Sequence, residues 1–444
     1  MTTLRNSLEE LCSRSRHPTK TLRNLLRNPG ESGMLQLHPP VAIQETSALS
    51  ALFDCFIKLG FRDERQIRPL MREISFVISS LDSSLKLLEN ASKIGYVDEL
   101  VTGSLLAKTL KRYDPRTISL QDAMRILRIM QTQRYRHRYL IDSLTERVLR
   151  EGDTSQRFVV FRILAELDMV DSSRLVDFPR PVSASDSIDF AWGILLQENK
   201  LASSVDIPGM LRDCLVALVD TKTDSTSQIP ESCEHKLVMI RDAIYLLHRE
   251  TVYRNLPERT KSFLSGLGDG NPGKRTESRA FRRGLKQISD TLFSENVAHS
   301  VHSLVGSFMV DIVERDRKII WEYDSRDRFY HDGSETSKSS YHVFKRRVLN
   351  AMGYNVINIP HWQWAKMGNK KLKKDYCRTS RFLALTDMGK SVETDRDPRC
   401  YKVSECMPSE PSSWDFHNEY VHNKQQPKQS WVWNKPIPTL RVAI

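Results

Sequence analysis

Residues 308–330, FMVDIVERDRKIIWEYDSRDRFY, and residues 340–364, SYHVFKRRVLNAMGYNVINIPHWQW, decide the fold of the C-terminal part of this chain. The first stretch reads as two strands joined by a turn, because β-branched and aromatic residues lie on either side of the polar run 314–318. The second reads as a basic helix over 341–351, a strand at 355–359 and an extended exit carrying Trp362 and Trp364. Strand, strand, helix and strand in that order predict a small α/β module over 301–387. Positive charge gathers in it. Between Tyr341 and Arg381, the ten basic side chains Lys345, Arg346, Arg347, Lys366, Lys370, Lys371, Lys373, Lys374, Arg378 and Arg381 face a single acid, Asp375. Such density is the electrostatic footprint of a phosphate-backbone partner.

The rest of the chain sets the context. At 444 residues it is long enough for two or three domains with cores of their own, and 39% hydrophobic with 27% charged residues is a globular balance. The net charge of +12 leans toward nucleic acid or another anionic surface. No apolar run reaches the roughly 18 residues of a membrane span. Seven cysteines without a CxxC pair suit free thiols in a reducing compartment. Residues 11–30, LCSRSRHPTKTLRNLLRNPG, hold Arg, Lys, Ser and Thr without an acid, the composition of an organellar transit peptide, although Glu9 and Glu10 precede it. A basic amphipathic first helix is the alternative for this extension, residues 1–45.

Residues 46–200 read as helical hairpins. Similar corners recur at Leu59-Gly60-Phe61, Ile94-Gly95-Tyr96, Gln133-Arg134-Tyr135 and Leu167-Asp168-Met169, and from Phe61 to Met169 there are 108 residues in three intervals, a mean of 36. Helix pairs at this period stack into solenoids, since one pair cannot bury its apolar stripe alone; a non-repeating bundle is the alternative. Further helices follow over 201–300, interrupted by the linker 266–276. Beyond 387 repeated prolines with Trp414, Trp431 and Trp433 predict an extended tail, 388–444, that packs on a partner or on its own protein.

Two tempting motifs fail on their chemistry. Gly268 to Arg275 has the Gly-x4-Gly-Lys spacing of a phosphate loop, yet Arg275 stands where a hydroxyl should hold magnesium and Pro272 removes a backbone donor. Cys400, Cys406, His417 and His422 lack the close pairs a structural zinc needs. No metal and no cofactor is expected.

The C-terminal module resembles the RAP domain, found at the C-terminus of organellar RNA-binding proteins such as the FAST-kinase-domain family and the apicomplexan RAP proteins. The matching residues are Ile320-Trp321-Glu322-Tyr323-Asp324, Phe329-Tyr330, Lys345-Arg346-Arg347-Val348-Leu349, Gly353 through Pro360, Trp362, Trp364 and Tyr376. The resemblance implies helical repeats ahead of the module, RNA as partner and a mitochondrion, or another organelle, as the place. Lys345, Arg346, Arg347, Lys366, Lys370, Lys371, Lys373, Lys374 and Arg378 are then the expected phosphate contacts. Trp362 and Trp364, two residues apart in extended chain, are expected to point the same way and stack unpaired bases.

A RAP module is also similar to nucleases of the PD-(D/E)xK type, which hold a metal between carboxylates on adjacent strands. Asp311, Glu322 and Asp324 supply the acids, and Lys345 on the next helix stands in for the lysine that Asp324 displaces. The expectation is an α-helical hairpin array followed by an α/β module that binds RNA without catalysis, either as a mitochondrial ribosome subunit or as an rRNA or mRNA processing and stability factor, its tails meeting other ribonucleoprotein subunits. A metal-dependent endonuclease and a protein-interaction scaffold are the alternatives.

Overall fold

The computed structural model describes residues 80–386 apart from 113, 116, 172–180, 202–204, 225–230, 269–277 and 332–336, together with the helical positions Ile67, Arg68, Met71, Arg72 and Ser75. The basic extension 1–45, the corner at Gly60, most of the Gly268–Arg275 loop, the Cys/His set and the tail 388–444 lie outside the described residues. Chain contacts separate two compact units, Met1–Gly152 and Asp153–Ile444. The division falls inside the span read from sequence as hairpin repeats.

In the first unit the described helices are α1 (Leu81–Lys93), α2 (Glu99–Arg112), α3 (Leu120–Gln133) and α4 (Arg138–Glu151). Their connections explain the recurring corner. Gly95 and Arg134 take the left-handed conformation, with φ of 69° and 51°, and the amide of the next residue reaches back, Tyr96 to the Ala91 carbonyl and Tyr135 to that of Met130. This closure satisfies carbonyls that a helix end otherwise leaves orphaned. Two residues further on, a side chain starts the next helix: Asp98 accepts from the amides of Leu100 and Val101, and His137 from that of Leu140. The same turn recurs at Asp168 in the second unit, φ 62° with Met169 bonded back to Leu164. The corner is thus a stop-and-restart signal, and helical hairpins follow from it.

The second unit begins with α5 (Thr154–Glu166), α6 (Ala184–Gln197), α7 (Ile207–Asp224), α8 (Glu231–Leu247) and α9 (Glu258–Ser265), and continues with α10 (Arg279–Ser294). Four strands follow: β1 (Ser300–Val305), β2 (Phe308–Glu314), β3 (Ile319–Asp324) and, after α11 (Ser340–Ala351), β4 (Asn355–Pro360). Their order in the sheet is β1-β2-β3-β4. The first two pairings are antiparallel and β3–β4 is parallel, because α11 carries the chain back to start β4 alongside β3. Helices α12 (His361–Lys366) and α13 (Lys370–Thr386) complete the module. The fold is α plus α/β, as the sequence patterning implied; β1, short and exposed along most of its length, had no clear pattern to announce it.

Both sheet faces are covered. On one, Val310, Val313, Ile320 and Val356 pack with Phe344 and Val348 of α11 and, beyond them, with Phe158, Trp192, Leu195 and Ile240 of α5, α6 and α8. On the other, Ile312, Trp321, Tyr323 and Ile359 meet Phe281, Leu285 and Ile288 of α10 and Tyr376 and Cys377 of α13. Polar contacts join the first set of layers. The Tyr330 hydroxyl donates to the Glu166 carbonyl, Gln197 Nε2 donates to Ser340 Oγ at 3.0 Å, and Arg347 pairs with Glu198 at 2.7 Å.

Candidate nucleic-acid interface

The register Ile312↔Trp321 between β2 and β3 brings Asp311 and Glu322 to neighbouring positions, with Asp324 two residues along β3. A single 3-10 turn over Arg326–Arg328 then swings Arg328 back among them. Its guanidinium is fully buried and pairs with Asp311 at 2.6 Å, with Asp324 at 3.3 Å and, closer still, with Glu322. Lys345 Nζ, also buried, donates to Glu322 Oε1 at 2.8 Å and to the Met309 carbonyl at 2.7 Å, while Lys338 holds Asp324 at 2.6 Å. Three carboxylates are therefore matched by three cations. Burial opposes the charge on Arg328, but Asp311, Glu322 and Asp324 outweigh it and hold the group well above the usual arginine value. Burial lowers the Lys345 ammonium below the usual lysine value, with Arg328 adding to the effect and Glu322 and Asp311 opposing it.

The acids named as a nuclease set are thus brought together, but around an arginine. A divalent ion would need the volume the guanidinium fills, and would add positive charge to a cluster already balanced; the arrangement does not fit a metal. Among the described residues no group of three or more His, Cys, Asp and Glu side chains is disposed to hold one.

Several expected contacts need correcting. Trp362 and Trp364 do not lie in extended chain but in α12, which Pro360 starts with its fixed φ. Both rings are buried. Trp362 packs at 4.7 Å on Phe329; Trp364 lies 6.4 Å from Tyr376 and donates its Nε1–H to Gln287 at 3.1 Å. They hold α12 to the module and offer no free face to a base. Lys345, expected on phosphate, faces the carboxylates because its α11 position looks onto β2 and β3. Arg347 turns to Glu198, Asn199 and the Leu195 carbonyl. Of that basic triplet Arg346 alone is partly exposed without an acidic partner among the described residues.

The other cations cluster on α13. Lys370 and Lys371 are exposed; Lys373 is half-buried, lies 4.9 Å over the Trp364 ring and donates to Gln287 at 2.9 Å. Lys374 and Arg378 hold Glu295 at the end of α10, and Lys366 is half-buried. Alongside runs a row that the sequence reading left out: Arg282, Arg283 and Lys286, exposed on α10. The signal was present. Apolar residues at 281, 285, 288 and 292 fix the buried stripe of that helix, which leaves 282, 283 and 286 to solvent. Phe281 lies against Tyr323, and at Gly284 a Cβ would overlap the Tyr323 ring, so α10 sits tightly on the sheet and turns its basic face to solvent. Together α10 and α13 contain ten Lys and Arg residues against two acids, Asp290 and Asp375.

Residues 321–379 match the family model of the RAP domain. The C-terminal module carries a RAP domain. The match runs from Trp321 on β3 into α13; β1, β2 and α10 flank the matched span and complete its sheet and one of its layers. The RAP domain is in general an RNA-binding domain, so the match supports RNA as the partner of the basic surface. No curated protein matches the chain. No helix of the described residues is long and apolar enough to cross a membrane.

Proposed function

We propose that this protein binds RNA inside an organelle, the mitochondrion first among them, as a ribosome subunit or as a factor that processes or stabilises rRNA or mRNA. The single observation that carries the RNA part is a basic surface, α10 with α13, mounted on a RAP domain whose sheet is rigidly packed on both faces. The acid-free run 11–30 and the RAP resemblance support the organelle, and the long tails support protein partners within a ribonucleoprotein. We infer further that the protein acts by binding and not by cleavage. The support is Arg328, which occupies the space between Asp311, Glu322 and Asp324 that catalysis would reserve for a metal.

The test scores binding and cleavage together. Purified protein is incubated with labelled organellar rRNA and mRNA in magnesium or in EDTA, across a salt series. Binding that weakens steeply with salt and leaves the RNA intact is the expected result. Magnesium-dependent cleavage that vanishes in a folded Glu322→Gln variant would overturn it. Binding indifferent to salt would favour a protein scaffold instead. Co-sedimentation of the tagged protein with mitochondrial ribosomal particles separates the subunit role from that of a transient factor.

A further inference from the structure

Between α8, α9, the turn joining β1 to β2 and the end of α11 lies a cleft of about 420 Å³ that the basic surface does not use. It borders the core on the α11 side of the sheet, whereas α10 and α13 cover the other side. Val238, Arg241, Asp242 and Tyr245 line it at helical spacing, so one face of α8 forms a wall. Leu264 and Met352 supply apolar sides. The rings of Tyr245 and Tyr253 meet at 5.4 Å and 86°, with Arg249 5.2 Å over the first. The charge within is already balanced. Arg241 places Nε and Nη2 at 2.9 and 2.8 Å from one oxygen of Asp242 and donates Nη1–H to the Leu267 carbonyl at 2.7 Å. The other oxygen, Asp242 Oδ2, takes no hydrogen bond among the described residues. It lies beside the β1–β2 turn, since a Cβ on Gly306 would stand 3.6 Å from it. On that turn Ser307 is 2% exposed, and its hydroxyl has no partner among the described residues. One acceptor and one hydroxyl are thus left over at the same end of the cleft.

A cleft of this size falls in the range of small-molecule sites, about 300–1,000 Å³. Its chemistry narrows the occupant. A phosphate finds no free cation, because Arg241 is committed to Asp242 and Leu267, and for the same reason a cation finds no net negative charge. An acyl chain would cover Asp242 Oδ2 and Ser307 without bonding either, which burial penalises. What fits is a neutral flat ring to pack on the tyrosines, with an edge that donates to the carboxylate and accepts from the hydroxyl. Guanine has that edge: N1–H and the 2-amino group donate side by side, and O6 beside them accepts. Adenine and cytosine offer a single amine next to a ring acceptor, and uracil a single N–H between carbonyls. Each gives the carboxylate one donor where guanine gives two. We propose that this cleft is a guanine site, in which Asp242 Oδ2 accepts from N1–H and the 2-amino group, Ser307 donates to O6, and Tyr245, Tyr253 and Met352 pack on the base. The same recognition serves a free nucleoside or an unpaired base of an RNA strand, and it does not depend on the basic surface of α10 and α13.

The test uses the full chain, with guanosine, inosine and adenosine titrated by isothermal calorimetry. Guanosine is expected to bind, and inosine, which lacks the 2-amino group, to bind roughly 2- to 10-fold more weakly, with adenosine no better than inosine. Asp242→Asn is expected to weaken guanosine roughly 10-fold, and Tyr245→Ala roughly 2- to 10-fold. Because Asp242→Asn also loosens Arg241, Ser307→Ala is the second variant. It removes a hydroxyl that bonds nothing else described, and should weaken guanosine while leaving the melting temperature unchanged. Ser265→Trp, at the exposed rim, should block guanosine and leave salt-dependent RNA binding as it is. Guanosine that does not bind, or binds no better than adenosine, overturns the proposal. So does guanosine binding that survives both Asp242→Asn and Ser307→Ala. RNA binding by α10 and α13 is read separately and stands through either failure. An oligouridine carrying one guanine then assigns the source: if it displaces guanosine and plain oligouridine does not, the site takes a base from a strand, and if neither does, it takes the free nucleoside.

Discussion

Replacing Arg328 with methionine keeps the apolar stem and removes the guanidinium, its charge and its volume together, from the centre of the carboxylate cluster. Asp311 and Asp324 are 1% exposed and Glu322 is 4% exposed, so none can turn to water for compensation. Removing one partner of a buried ionic network costs about 3–5 kcal/mol. For a unit of this size that lowers the melting temperature by about 6–20 °C. The loss depends on pH with a definite sign. Without the guanidinium, three buried acids face only two cations, Lys345 and Lys338, so one negative charge is left uncompensated and the neutral, protonated acid is favoured in its place. Stability contributed by a raised acid is full below its unfolded pKa and disappears as pH climbs through the native value. The variant is therefore closest to wild type near pH 4–5 and furthest from it above pH 7. Millimolar magnesium stabilises the variant by entering the emptied space and leaves the wild type unmoved. Urea denaturation monitored by tryptophan fluorescence, at several pH values with and without magnesium, measures all of this. A deficit under about 1 kcal/mol at pH 7.5, flat in pH, would falsify the claim that the cluster supports the fold.

Other expectations follow from the same layers. Lys345→Glu sets two buried carboxylates against each other and should unfold the second unit, seen as lost near-ultraviolet dichroism, whereas Lys371→Glu on the open face of α13 should leave melting unchanged and weaken RNA binding alone. Burial pushes His361 down to about 4, with its hydrogen bond to the Asp324 carbonyl opposing the shift. A depressed histidine contributes stability above its unfolded pKa of about 6.5 that is lost as pH falls toward 4, at most about 3 kcal/mol, and His361→Gln should flatten that acid limb of the stability curve. Gly284→Ala forces a methyl group against the Tyr323 ring and should cost about 1–3 kcal/mol by thermal denaturation, unless the ring finds another rotamer.

What was legible in the sequence was whatever is encoded locally. The corners at Gly95 and Arg134 could be read because a left-handed residue, the apolar residue after it and a capping side chain sit within a few positions of each other, and the corner at Asp168 repeats the first two. The strand–helix–strand run around Trp321 and Tyr354 could be read for the same reason. Roles set by contacts across the fold could not. Lys345, Arg346 and Arg347 are equivalent as letters, yet the angle of α11 over the sheet sends the first into a carboxylate cluster, leaves the second open and hands the third to α6. Trp362 and Trp364 alternate as strand residues do, but Pro360 starts a helix beneath them and Phe329 and Gln287 claim their rings. Arg328 was the hardest to see. Its three partners are spread over residues 311–324, and only the β2–β3 register gathers them.

The hydrogen bonds from Tyr330 to Glu166 and from Gln197 to Ser340, with the Arg347–Glu198 pair, carry a consequence for geometry at larger scale. They leave no swivel between the RAP domain and the helices α5 and α6 beneath it. A strand lying along α10 and α13 is separated from those helices by the sheet and by α11, two layers at roughly 10 Å each. Anything that docks on the α5–α8 side is consequently presented to the nucleic acid at a fixed angle and a stand-off of roughly 20 Å. The second unit works as a rigid bracket, and a fragment begun at residue 301 would sever it from the wall to which it is bolted.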